Sequence, residues 1–158
     1  MTRKEQYNQL ILQIAELIKD ETNLVGILAN VSAALHDTFP ERFFWVGFYL
    51  QENGNMLRLG PFQGSVACYT IPYGKGVCGK AWEEGRTLIV PNVETFPGHI
   101  ACSSRSRSEI VIPMYDSQSH FRGVLDIDST RFDDFSTEDK DGLEHVIQLL
   151  MAQIEDLL

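Results

Sequence analysis

The stretch Phe43-Phe44-Trp45-Val46-Gly47-Phe48-Tyr49-Leu50 decides the class of fold, because the hydrophobic period of the chain changes there. Before it, apolar residues recur at spacings of three and four. Leu10, Ile11, Ile14, Leu17 and Ile18 predict a helix over 4–19. Leu24, Ile27, Leu28, Val31 and Leu35 predict a second helix over 22–37, with Pro40 as its stop. Within 43–50 the residues become aromatic-rich, which suits a strand. Asn53-Gly54-Asn55 then signals a hairpin turn. Further strands are expected at 56–59, 66–71, 87–90, 109–114 and 122–128, with a short helical patch at 78–84. Ser136 caps a last helix, with Asp139 at its third position and a stripe of Val146, Ile147, Leu150, Met151, Ile154 and Leu157. Two helices, a run of strands and a final helix indicate an α+β fold: an antiparallel sheet with the terminal helices packed on one face.

Strand side chains alternate, so the sequence also sorts the two faces of that sheet. Phe44, Val46, Phe48 and Leu50 point one way, with Leu125, Ile127, Ile110 and Ile112 as aliphatic company for the helices. Trp45, Gly47 and Tyr49 point the other way, as do Glu109, Asp126 and Asp128. A solvated acidic face is the simplest account of those carboxylates. Asp is disfavoured in strands, however, and two of them sit here in one short apolar strand beside an exposed Trp and Tyr. That combination predicts a ligand pocket with an aromatic wall and a carboxylate floor.

The totals bound the partners. The 158 residues fit one domain spanning 1–158, and a hydrophobic share of 44% supplies a core without staples. A formal net charge of -9 argues against nucleic acid and against anionic membranes. No targeting segment is visible and no run approaches ~18 apolar residues, so the expected address is cytoplasmic. Three cysteines, Cys68, Cys78 and Cys102, are an odd count for a structural disulfide framework. Residues 91–107, which carry Cys102, show neither period, and so long an irregular stretch is usually functional.

Two motifs are rejected. Gly74-Lys75-Gly76-Val77-Cys78-Gly79-Lys80-Ala81 nearly spells a phosphate-binding loop, but Ala81 stands where a hydroxyl must meet magnesium. A zinc site is not expected either, because the cysteines lack a Cys-x-x-Cys pair and four ligands at standard spacings do not occur.

Several segments together resemble the free methionine-R-sulfoxide reductases, which are built on a GAF domain. They are Trp45-Val46-Gly47-Phe48-Tyr49, Tyr73-Gly74-Lys75-Gly76-Val77-Cys78-Gly79, Phe96-Pro97-Gly98-His99-Ile100-Ala101-Cys102, Ser106-Arg107-Ser108-Glu109-Ile110 and Gly123-Val124-Leu125-Asp126-Ile127-Asp128. The resemblance covers nearly the whole chain. It implies a six-stranded antiparallel sheet, no bound cofactor, free methionine-R-sulfoxide as substrate and thioredoxin as the external dithiol. It makes a homodimer an expectation. It casts Cys102 as nucleophile and Cys68 as resolving thiol, and leaves Cys78 as a third thiol able to join the exchange. Glu109, Asp126 and Asp128 become substrate-binding carboxylates that also serve catalysis. Trp45 and Tyr49 become the wall around the methyl group, with Ile100 and Ala101 beside the substrate.

The residue types suit that chemistry. A sulfoxide sulfur is electrophilic, but its oxygen leaves only when protonated. A thiolate supplies the nucleophile, and crowded carboxylates supply an acid because repulsion holds a proton on one of them. The remaining negative charge would select the α-ammonium of a free amino acid. His99 and Arg107 lie near Cys102 in sequence, and Arg105 is read as solvated. A ligand-sensing module and a purely dimerising domain are the rival readings, and the first would tolerate loss of Cys102.

Overall fold

The computed structural model describes all residues, Met1–Leu158. Two helices, α1 (Arg3–Ile18) and α2 (Leu24–Thr38), precede the strands β1 (Trp45–Glu52), β2 (Met56–Gln63) and β3 (Thr70–Pro72). Helix α3 (Gly76–Glu84), strands β4 (Leu88–Val90), β5 (Ser108–Tyr115) and β6 (Phe121–Ser129), and helix α4 (Thr137–Ile154) complete the chain. The strands form one antiparallel sheet of six in the order β3-β2-β1-β6-β5-β4. The α+β expectation and the six strands hold. The strand expected over 66–71 is confined to Thr70–Pro72, and the one expected over 56–59 runs on to Gln63. Tyr69 O still accepts from Leu59 N at 2.9 Å, but the Ser65 and Cys68 carbonyls accept from the Trp45 and Tyr49 side chains instead of from β2.

Local chemistry fixes the helix ends. Thr2 accepts from Glu5 N at 3.1 Å and Glu5 Oε2 accepts from Thr2 N at 3.1 Å, a reciprocal cap for α1. Asn23 Oδ1 accepts from Gly26 N at 3.1 Å at the start of α2. The apolar stripes of α1, α2 and α4 then cover one face of the sheet. Leu10, Ile14, Leu28, Leu35, Val146 and Leu150 bury against Val46, Phe48, Ile110, Ile112, Leu125 and Ile127 in one contiguous core. Burying each such side chain is worth roughly 1.5–3 kcal/mol before chain entropy is charged against it.

A second core lies on the opposite face. Trp45, Tyr49, Val111 and Val124 pack there with Val77, Cys78 and Ala81 of α3. This overturns the expectation that Trp45 and Tyr49 are exposed: their exposures are 4% and 2%. The reason is tertiary, because α3 and the loops cover a face that strand alternation alone left open.

Asp139 does more than cap α4. Its carboxylate, fully buried, accepts from Ser136 N at 2.9 Å, Tyr7 OH at 2.7 Å, Arg3 Nη1 at 2.9 Å and Arg42 Nη2 at 2.8 Å. Arg42 also stacks on Phe39, with its guanidinium 5.2 Å from the ring centroid. The cluster joins α1, α4 and the loop before β1. Removing one partner of a buried pair strands the other charge, at a cost of about 3–5 kcal/mol. Asp139→Ala is therefore expected to lose stability on that scale, read from the urea midpoint; a loss under about 1 kcal/mol would show the pair to be as weak as an exposed one.

Candidate active site

Antiparallel register assembles the site. Trp45 pairs with Asp128, and Asp128 with Glu109, so these three lie in one row across β1, β6 and β5. The next row is Gly47, Asp126 and Val111. Paired residues share a face, so the alternating sequence pattern becomes a compact patch. Gly47 also pairs with Phe62 of β2. A Cβ at Gly47 would collide with Phe62 Cβ and lie 2.9 Å from the Trp45 ring, so only glycine lets the indole and the Phe62 ring stack, 5.1 Å between centroids. Tyr49 lies 5.9 Å from Trp45, nearly parallel to it.

The aromatic wall holds the segment that carries Cys68. Trp45 Nε1 donates to Ser65 O at 3.0 Å, and Tyr49 OH donates to Cys68 O at 3.1 Å. Burial, then the neighbouring Asp126 charge, pushes the Tyr49 phenol up, so it stays a donor. Cys68 is joined to Cys102 in a disulfide, with Cα atoms 5.5 Å apart. The long loop before β5 has pinned feet: Val93 N donates to Arg107 O at 2.9 Å and Arg107 N donates to Ser129 O at 2.8 Å. A turn of 3₁₀ helix, Val93–Thr95, is its one regular piece. Between the feet, the disulfide ties the loop over the cavity. Arg105, read as merely solvated, is exposed but lies 4.4 Å above the Phe44 ring. Arg107 Nη1 donates to Ser104 O at 2.7 Å.

The cavity is lined by Trp45, Tyr49, Cys78, His99, Ile100, Cys102, Glu109, Asp126 and Asp128, among others. Its volume is about 40 Å³, room for a few waters and too little for an amino acid. Structure thus gathers every singled-out residue except Cys68, which reaches the site through its bond to Cys102, and Ala101, which is exposed and lies off the cavity wall. Cys78 is buried and unpaired. Burial, then the Asp126 charge, holds its thiol well above the usual range. Sequence reasoning missed Ser103, Ser106 and Val66 on the wall. Ser106 stood in a segment that carried the resemblance but was given no role, Ser103 lay in the irregular stretch 91–107, and Val66 read as part of a strand.

The electrostatics are those of uncompensated acids. Glu109 and Asp126 are each 5% exposed, and neither they nor Asp128 has a Lys or Arg ion-pair partner. The nearest basic group is His99, with Nε2 3.7 Å from Glu109 Oε1, and burial pushes that imidazole down. Burial and then the Asp126 charge drive Glu109 and Asp128 well above the carboxylate range. Burial raises Asp126 too, but the nearby Glu109 carboxyl and Cys78 thiol work against the rise. All three are held above the carboxylate range, Asp126 less than its neighbours. Asp126 Oδ1 has no donor among ordinary side chains and backbone groups.

Glu109 binds a proton in the folded chain that it loses in the unfolded one near pH 4.3. Its contribution to stability is thus present at low pH and falls as pH climbs from about 4 towards the raised folded value, by at most about 1.4 kcal/mol per pH unit. Glu109→Gln should remove that slope and gain stability relative to the unsubstituted chain as pH rises from 4 towards neutrality. Parallel stability–pH curves for the two chains would show that Glu109 is an ordinary ionised carboxylate.

The chain matches the model described as "GAF domain" over residues 23–154. It is 42% identical over 158 residues to the free methionine-R-sulfoxide reductase of Escherichia coli (strain K12), covering 100% of this chain and 92% of that protein. It is 52% identical over 149 residues to GAF domain-containing protein A of Dictyostelium discoideum, covering 94% and 92%. A solved structure of free methionine-R-sulfoxide reductase from Neisseria meningitidis, in complex with its substrate, superposes with a TM-score of 0.94 at 42% identity, covering 98% of this chain and 92% of that one.

Proposed function

The chain belongs to the free methionine-R-sulfoxide reductase family of GAF-domain proteins, and on that footing we propose that it reduces free methionine-R-sulfoxide to methionine through a sulfenic acid on Cys102. The observation that carries this is the meeting of a redox-active cysteine and a protonated carboxyl cluster in one cavity.

The steps balance. The Cys102 thiolate attacks the sulfoxide sulfur while a protonated member of the trio, Glu109 or Asp128, delivers its proton to the sulfoxide oxygen. With a second proton the oxygen leaves as water, so that the Cys102 and methionine sulfurs are joined in a sulfonium; water then attacks the Cys102 sulfur, the S–S bond breaks with its electron pair returning to methionine, a proton is released and Cys102 is left as a sulfenic acid. Cys68 attacks that sulfur, water leaves and the Cys68–Cys102 disulfide forms. An external dithiol of the thioredoxin kind restores both thiols by exchange and is itself oxidised. A reducing compartment such as the cytoplasm supplies that dithiol, and no bound cofactor is needed.

Binding follows from the same geometry. Asp126, the least raised of the three carboxyls, faces the α-ammonium of a free amino acid, a group that a residue inside a polypeptide lacks. Trp45 and Tyr49 receive the methyl group and stem. The disulfide form is too tight for substrate, so reduction and release of the loop precede each turnover. Hydrogen bonds from Trp45 and Tyr49 keep the Cys68 segment in place while the Cys102 loop moves.

Given racemic methionine sulfoxide and a small dithiol, the protein should consume only the R form, followed by chiral chromatography; loss of neither form, or of both alike, would sink the proposal. Cys102→Ser should lower the rate by more than about a thousandfold, the scale on which removal of a covalent nucleophile acts. Cys68→Ser should release a burst of methionine stoichiometric with enzyme and then stall. Repeated turnover by Cys68→Ser would hand the resolving role to Cys78.

A further inference from the structure

A thiol and two carboxyls converge on the cavity floor from positions that no local motif links. The Cys78 sulfur and carboxylate oxygens of Glu109 and Asp126 all lie within 4.8 Å of one another, and all three residues are buried. His99 Nε2 stands 3.7 Å from Glu109 Oε1. Asp126, 5% exposed, carries a buried Oδ1 with no hydrogen-bond partner, and a buried acceptor without a donor calls for an explanation. No lysine or arginine pairs with the carboxyls, so what the floor lacks is a cation.

We propose that Cys78, Glu109 and Asp126, with water completing the shell, form a binding site for a thiophilic divalent cation of the zinc class. One sulfur and two carboxylate oxygens suit a borderline-soft ion; magnesium and calcium prefer oxygen ligands alone. Bonds of about 2.0–2.3 Å in a tetrahedron place ligand atoms less than about 4 Å apart, so the donors close in by up to about 1 Å. A cavity of about 40 Å³ admits such an ion with a water. Coordination moves no electrons: the metal–sulfur bond forms as the Cys78 S–H proton leaves to solvent, and carboxyl protons leave likewise. The bound ion links α3 to β5 and β6 and takes the carboxylates that a substrate ammonium would use. That competition rests on the reductase reading, whereas the site itself does not.

With Cys68 and Cys102 in a disulfide, Cys78 is the one free thiol. Cobalt(II) added to the oxidised full chain therefore reports on Cys78 alone. A thiolate-to-cobalt charge-transfer band at one ion per chain, displaced by zinc with release of protons, is expected. Cys78→Ser should abolish the band, and the near-isosteric Glu109→Gln should weaken zinc at least about tenfold while melting as a folded protein. No charge-transfer band in the unsubstituted chain, its survival in Cys78→Ser, or unchanged zinc affinity in folded Glu109→Gln would each overturn the site. Absence of sulfoxide turnover in metal-free buffer would instead strike the reductase reading and leave the cation site standing.

Discussion

Register across β1, β6 and β5 forces Trp45, Asp128 and Glu109 into one row and sets Asp126 beside them; the rest of the cavity follows from burying that row. Three carboxyls under one roof with no lysine or arginine cannot all ionise, because each charge would lack both water and a counter-ion. The chain resolves the conflict by holding all three above the carboxylate range, Asp126 less than Glu109 and Asp128. Buried acids and the Cys102 sulfur then line one small space, which is the equipment the proposed sulfoxide reduction asks for.

Buried acid serves two purposes in this molecule, and the difference lies in compensation. On the helical face, Asp139 is met by Arg3, Arg42, Tyr7 and a backbone N–H, so its charge is satisfied and it cross-links the helices to the sheet. On the cavity face nothing cationic is supplied by the protein, and the missing charge must come from whatever enters. Stability is invested in the first cluster and withheld from the second, a division expected where a site needs perturbed acids.

The aromatic wall couples the acid floor to the thiol chemistry. Trp45 and Tyr49 stand on β1, the strand that pairs with β6, and their polar tips hold the carbonyls of Ser65 and Cys68. The segment bearing one sulfur is thus fixed to the rigid sheet. The other sulfur rides a loop whose feet are pinned at Val93 and Arg107. One anchored and one movable sulfur is an arrangement that lets a disulfide form and then open around a substrate.

Much of this was legible in the sequence. The change of period at 43–50 gave the α+β class, and strand alternation put Trp45, Tyr49, Glu109, Asp126 and Asp128 on one face, because period and alternation are local consequences of backbone geometry. Ser136 and Asp139 were readable as a cap for the same reason. Other features were not. The burial of Trp45 and Tyr49 depends on α3 crossing the sheet, Arg3, Tyr7 and Arg42 reach Asp139 from 97 or more residues away, and the strand expected over 66–71 starts only at Thr70. Likewise, ligand spacing along the chain spoke against a metal, yet Cys78, Glu109 and Asp126 meet in space. What sequence alone determined is which side chains share a strand face; which of them lose water, and so which hold protons, was decided only by tertiary packing, because desolvation depends on everything around a group and not on its neighbours in the chain.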